Sequence, residues 1–274
     1  LFRKLIQTQI KEPERENELK KTIKTLNAIT NDVSGKVREM YEENPYPRWR
    51  SIDVPLYSSH TITGDILIAG CGTGRYGIQV ALHLPNVQIQ AVDLTLSSLA
   101  YAQRMSEVYK VNNITHSQCD ILDVAKLNQK FDLINSSGVL HHMADPVAGW
   151  KSLLSVLKPG GVMSIGLYST IARAMVRDAW EDIQKGGYES DSDGIRKFRE
   201  DVFLNPGSGK YDILATLADF YTLSNTRDFL FHVQETTYTI PELKEILNDL
   251  GLEFLGFHRL HPTIVGFFGQ TYPD

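Results

Sequence analysis

The feature that most constrains this chain is a glycine-rich turn between two segments of opposite character. Residues 66–70 read ILIAG, an apolar run of the length expected for a buried strand. CGTGR at 71–75 then leads into IQVALHL, which has helical spacing. Gly70, Gly72 and Gly74 therefore stand where a strand hands over to a helix. Glycine at such a point permits positive φ and a close backbone approach that a side chain would block. The amides at the helix start are left facing a ligand. Nucleotide and flavin enzymes both use turns of this kind, so the neighbouring residues must decide between them.

The strand-then-helix rhythm continues downstream. IQAVD ends at Asp93, a helix-like stretch runs from about Ser97 to Tyr109, and a short element precedes Cys119 and Asp120. FDLINSS follows at 131–137, then a helix from Pro146 to Leu157 closed by KPGG, then GVMSIGLY ending at Tyr168. This alternation predicts an α/β fold with a doubly wound, largely parallel sheet. From Ser169 to Thr239 the rhythm stops, with a turn-rich DSDG at 191–194 and NPGSG at 205–209. Such an interruption is too long for an ordinary connection, and it predicts a cap inserted over residues 169–240. A helix over 241–250 and two strands, LEFLGFHRL and TIVGFFGQ, complete the pattern.

Ahead of the sheet, residues 1–43 have helical spacing. Phe2, Leu5, Ile6 and Ile10 recur first, then Leu19, Ile23 and Leu26 after Pro13, and a last helix starts at a cap on Asp32. Pro45 and Pro47 must stop that helix, which makes NPYPRW at 44–49 a stiff aromatic loop. The expected divisions are 1–60 for the helical region and loop, 61–168 with 241–274 for the core, and 169–240 for the cap.

Two acidic residues sharpen the meaning of the turn. Asp93 lies 23 residues beyond Gly70, at the carboxyl end of the second strand, where a carboxylate can accept from both hydroxyls of a ribose. Asp120 ends the third strand and could accept from an adenine amino group. Either aspartate alone could be a surface-turn residue; both at consecutive strand ends weigh against that alternative. A net charge of -5 without a long basic run argues against bulk nucleic-acid or anionic-membrane binding. Cys71 and Cys119 lack zinc-site spacing, so no metal is expected, and a reduced cytoplasmic protein is the natural reading. No apolar run has signal-peptide or membrane-spanning length. The start at Leu1 suggests a fragment of a longer chain.

Taken together, AGCGTGR at 69–75, AVD at 91–93, CDI at 119–121, FDLINSSGVLHHMADP at 131–146 and LKPGGVM at 157–163 resemble the class I S-adenosylmethionine (SAM)-dependent methyltransferases. The resemblance implies a Rossmann-like seven-stranded sheet of order 3-2-1-4-5-7-6 with an antiparallel last strand. It implies SAM lying across the carboxyl ends of the first strands, with S-adenosyl-L-homocysteine (SAH) as product. The cofactor contacts it implies are Gly70, Cys71, Gly72, Gly74, Asp93, Leu94, Asp120, Ile121 and Ser136. REMYEENPYPRW at 38–49 and DFYTLSNTRDFLFHVQETTYTIPEL at 219–243 also resemble a bacterial methyltransferase group often joined behind tetratricopeptide repeats. That narrower likeness implies an upstream repeat region as a partner and supplies no acceptor.

Methyl transfer from a sulfonium is an in-line displacement that depends on aligning the acceptor. A base matters only where the nucleophile carries a proton that must leave. His141 and His142 follow the fourth strand and Tyr168 ends the fifth, so these three are the expected catalytic residues. The alternative is that the histidines bond the backbone and shape the pocket. Arg48 could pair with the SAM carboxylate and Tyr41 could bond the same end, with Tyr46 and Trp49 beside them as acceptor contacts. The alternative is that these aromatics pack the N-terminal helix on the sheet.

In the cap, Asp219, Tyr221, Arg227, Asp228, His232 and Gln234 concentrate polar groups among aromatics. Of these, Asp219, Tyr221, Arg227 and His232, together with Arg173, are expected to bind the acceptor; a structural role is the alternative for His232. NSSG at 135–138 does not match the Asn/Asp-Pro-Pro-Tyr/Phe motif of exocyclic-amine DNA methyltransferases, which argues against DNA. The lack of a basic-aromatic tract argues against RNA. The expected acceptor is an oxygen or nitrogen of an unidentified protein, peptide or small molecule. The alternative is a SAM-binding interaction module with weak or no turnover.

Overall fold

The computed structural model describes residues 2–52, 64–205 and 211–257. The chain opens with α1 (Phe2–Ile6), a π-helical stretch (Gln7–Lys11) and α2 (Glu12–Lys20) in continuous helical backbone. Pro13 does not break this run; it lies just after the π-helical stretch, in the first turn of α2. The helix stops at Lys20, however. The expected continuation through Ile23 and Leu26 is replaced by a two-residue strand, β1 (Lys24–Thr25). α3 (Asp32–Glu43) follows, capped one residue earlier than expected: the Asn31 side chain accepts from the amides of Val33 and Ser34.

The sheet is then laid down as the sequence rhythm predicts. β2 (Asp65–Ala69), α4 (Arg75–His83), β3 (Gln88–Asp93), α5 (Leu96–Tyr109), β4 (Ile114–Gln118), β5 (Phe131–Ser137), α6 (Pro146–Ser155) and β6 (Leu157–Gly166) alternate along the chain. Among the described residues the sheet has six strands in the order β1-β4-β3-β2-β5-β6, all paired in parallel. With β1 set aside, this is the 3-2-1-4-5 part of the expected order. The sixth and seventh strands expected from LEFLGFHRL and TIVGFFGQ fall largely on 258–274, outside the described residues; 252–257 are irregular. KPGG does not end a helix. It is the insertion between Leu157, which pairs with Phe131, and Val162, which pairs with Leu133.

α5 is buried nearly all round, which explains its run of small residues, SSLAYA. One side meets α2 through Leu19, Leu99 and Ala100. Arg104, 7% exposed, is neutralised by Glu16 at 2.8 Å and Glu12 at 3.8 Å. Glu42 at the end of α3 accepts from the Ser97 amide at 3.1 Å, placing a carboxylate at the amino end of α5.

After β7 (Tyr168–Ser169) come α7 (Ala174–Gly186), α8 (Ser192–Leu204), α9 (Leu223–Leu230) and β8 (Thr237–Tyr238), which pairs with β7. DSDG is a helix start rather than a free turn: the Asp191 carboxylate caps α8 through the amides of Asp193 and Gly194. These helices have their own apolar centre, built from Val176, Ile183, Ile195, Phe198, Phe220 and Phe231. By contact density the chain divides into Leu1–Tyr238 and Thr239–Asp274. α7 to α9 fall in the first of these units and α10 (Ile240–Asp249) in the second. Among the described residues no helix is long and apolar enough to cross a membrane.

Candidate active site

The glycine turn forms as the sequence requires. Gly70 and Gly74 have φ of +75° and +79°, and a Cβ on Gly74 would stand 2.6 Å from that of Ala102 in α5. The amides of Gly70 and Cys71 both donate to Val92 O, fastening the turn to β3. At the end of β3, Asp93 completes the hold. One carboxylate oxygen accepts from the Gly72 amide at 2.8 Å, and the other from the Thr95 amide and hydroxyl at 3.0 and 2.9 Å. Burial raises the Asp93 carboxyl above its ordinary range, against the lowering effect of these bonds. Thr95 was not foreseen, although Asp-x-Thr is a recognisable side-chain turn.

The next strand end places Asp120, 4% exposed, at the head of a 3-10 turn, where it accepts from the Leu122 amide at 3.0 Å. Leu94 O is taken by the Gln118 side chain, and Ile121 O by Ser152. Ser136 is buried, and its hydroxyl has no partner among the described residues. Cys71 packs among apolar neighbours of the turn, and burial pushes its thiol up.

The NPYPRW loop lies against this turn. Thr73 donates to Pro47 O, and a Cβ on Gly72 would stand 2.9 Å from Tyr46 O. Trp49, 6% exposed, points into the core: its indole donates to Thr73 O at 3.2 Å and its ring meets Tyr101 and Tyr109. Arg48 is exposed, its guanidinium 6.0 Å from the Tyr101 ring.

Beyond β5 and β6 a second group of residues converges. His141, fully buried, lies with its ring 4.0 Å from that of Tyr168 and 4.2 Å from that of His142. His142 stacks on His232 at 3.4 Å, and its Nδ1 bonds Gln234 O at 2.7 Å. Arg173 lies 4.0 Å from the Tyr168 ring and is held by both oxygens of Glu235. Tyr41, from α3, donates to the Asp228 carboxylate of α9. Burial pushes His141 down to about 3 and His142 to about 4, puts His232 well below the histidine range, and lifts Tyr168 to about 12. At neutral pH these rings are uncharged.

Three of the expected acceptor contacts in the cap are bonded to residues outside this group. Tyr221 is exposed and donates to Ala215 O. Asp219 accepts from Asn225, and Arg227 pairs with Glu43 of α3 at 2.6 Å, tying α9 to the N-terminal region. Asp228 stood in the polar concentration of the cap without being singled out, and Glu235 was missed.

Residues 64–196 match the family model of a methyltransferase domain. Over those residues, just under half of the chain, the protein is similar to methyltransferase domains. A protein of Synechococcus sp., itself uncharacterized, is 36% identical over 260 residues, covering 84% of this chain and 61% of that protein. The tRNA 5-carboxymethoxyuridine methyltransferase of Escherichia coli is 31% identical over 143 residues, half of this chain and 54% of the relative. PKMT2 from Rickettsia typhi, solved in complex with AdoHcy, has the same fold with a TM-score of 0.59 at 19% identity, covering 88% of this chain and 48% of that one. The chain thus spans about half to three-fifths of the length of these three proteins.

The residues of the methyltransferase domain fit SAM on their donor and acceptor chemistry. An adenosine presents two ribose hydroxyls and an amino group as donors. The strand ends offer Asp93, half-buried with lone pairs to spare, and the second oxygen of Asp120. The Ser136 hydroxyl, without a partner among the described residues, supplies a further polar group on β5, beside β2. Among the described residues no cluster of histidine, cysteine and acidic side chains is arranged to hold a metal ion.

Proposed function

We propose that the protein transfers a methyl group from SAM to an oxygen or nitrogen of a protein, peptide or small-molecule acceptor. The observation that carries this reading is the Asp93 carboxylate gripping the Gly72 amide at the end of β3, on a domain of the methyltransferase family. Gly70, Cys71, Gly72, Gly74, Leu94 and Ile121 would line the donor, Asp93 would orient the ribose, and Asp120 and Ser136 the adenine side. Tyr41 and Arg48 would serve its amino-acid end. Bound SAM supplies an electrophilic methyl on sulfur. Everything else asked of the chain is to hold an acceptor in line and keep water out.

The acceptor side of this proposal is the helical insertion over 169–240. His141, His142, His232, Tyr168 and Arg173 gather there, with Tyr46 on the facing loop. His141 and His142, held neutral at physiological pH by burial, would orient an acceptor by hydrogen bonding rather than take its proton. The E. coli relative acts, by its name, on tRNA. That likeness covers half of this chain, and the charge pattern here favours a protein, peptide or small acceptor over nucleic acid. An upstream repeat region and a reducing, cytoplasmic setting, the latter in keeping with two free cysteines, complete the reading. The test is transfer of labelled methyl from SAM into fractionated protein, RNA and metabolite pools. Label in a protein or metabolite fraction supports the reading; SAH binding without transfer into any pool favours an interaction module instead.

A further inference from the structure

Asp228 is the anomaly of the acceptor region. It is 8% exposed, and its one hydrogen-bond partner among the described residues is an uncharged phenol, that of Tyr41. The cation near it, Arg173, is already engaged by both oxygens of Glu235. The other nearby rings cannot neutralise it, because His141, His142 and His232 are buried and held neutral. Asp219 and Glu235 add further negative charge around it. A buried carboxylate without a cation is costly, and such groups persist where a partner arrives with the ligand.

The surroundings match one kind of partner. The phenol rings of Tyr41, Tyr46 and Tyr168 are all within electrostatic reach of Asp228, and Tyr41 is also within reach of Asp93 on the donor side. Aromatic faces beside a carboxylate favour a compact cation with an alkyl stem. The geometry points to Asp228 and its three tyrosines as the binding site for a protonated aliphatic amine, so that the acceptor atom is an amine nitrogen. This inference rests on the methyl-transfer reading and narrows it.

The chemistry balances with the groups present. Loss of one proton from the ammonium breaks one N–H bond, leaves its electron pair on nitrogen, and places the proton on an Asp228 oxygen. That nitrogen pair then forms the new N–C bond, while the S–C pair of the donor returns to sulfur. Burial lifts Asp228 to about 6, which suits it to take a proton near neutrality.

The test is calorimetric titration of the SAH-saturated protein with n-butylammonium, against n-butanol and butyrate. The ammonium binds and the other two do not. Its affinity falls as pH drops through about 6, where Asp228 takes up a proton. Asp228→Asn weakens it by about 10–100-fold, a larger loss than any the variant causes in SAH affinity through Tyr41, its hydrogen-bond partner. An N-acetyl-lysine amide that binds more tightly than n-butylammonium identifies a peptide source, and equal or weaker binding a small amine. If SAH binds but n-butylammonium binds no better than n-butanol, or equally well to Asp228→Asn, the inference is overturned. If SAH itself fails to bind, the methyl-transfer reading falls, and the inference with it.

Discussion

Asp228 and the buried histidines make opposite contributions to stability in acid. The Asp228 carboxyl is raised from an ordinary 3.8 to about 6, so its ionised form opposes folding. That penalty is absent below pH 3.8 and complete above about 6. Asp228→Asn should therefore stabilise the protein on the order of 2 kcal/mol at pH 7 and by nothing near pH 4, measured by urea unfolding at the two pH values. The histidines run the other way. With His141 near 3 and His142 near 4, their neutral rings favour folding above pH 6.5, and that contribution is lost as pH falls through their folded values. NMR of the imidazole carbons should show neither ring titrating between pH 7.5 and about 5. Asp93 was legible as a strand-end acid in a fixed relation to the glycines. Asp228 was not, because nothing in RDFLF says that Tyr41, nearly two hundred residues earlier, will meet it.

At the scale of elements, the glycine turn and the helical insertion make different demands. Gly74→Ala forces a positive φ on alanine and drives its methyl into Ala102. It should cost about 1–3 kcal/mol and weaken SAH binding, read by unfolding and calorimetry on the same sample. The insertion rests on its own centre around Phe198. Phe198→Ala should cost about 3–5 kcal/mol, and hydrogen exchange should rise across α7 and α8 while β2 to β5 stay protected. The alternating strands and helices were readable because apolar runs and glycine turns act locally. The end of α2 was not, because the choice between helix and strand at residues 24–25 is made by pairing with β4 at 117–118. Trp49 illustrates the same limit: sequence shows an aromatic in a proline loop, and only the fold turns its indole toward Thr73 O.

Over the whole molecule, the proposed donor side follows from the order of motifs along the chain, whereas the proposed acceptor side depends on residues brought together from α3, the turn after β5, β7 and α9. That division explains why the methyltransferase domain could be read from the sequence and its acceptor could not. It also fixes the order of tests, since an acceptor matters only if the donor binds. Calorimetric titration of SAH into the protein and into its Asp93→Ala variant, both checked as folded by circular dichroism, addresses this directly. The wild-type chain should bind one SAH per molecule. The variant should lose about 10–100-fold or more in affinity with the ribose acceptor gone. Absence of binding to the wild-type chain, or equal affinity for the folded variant, would contradict the donor site built on Asp93 and the glycine turn.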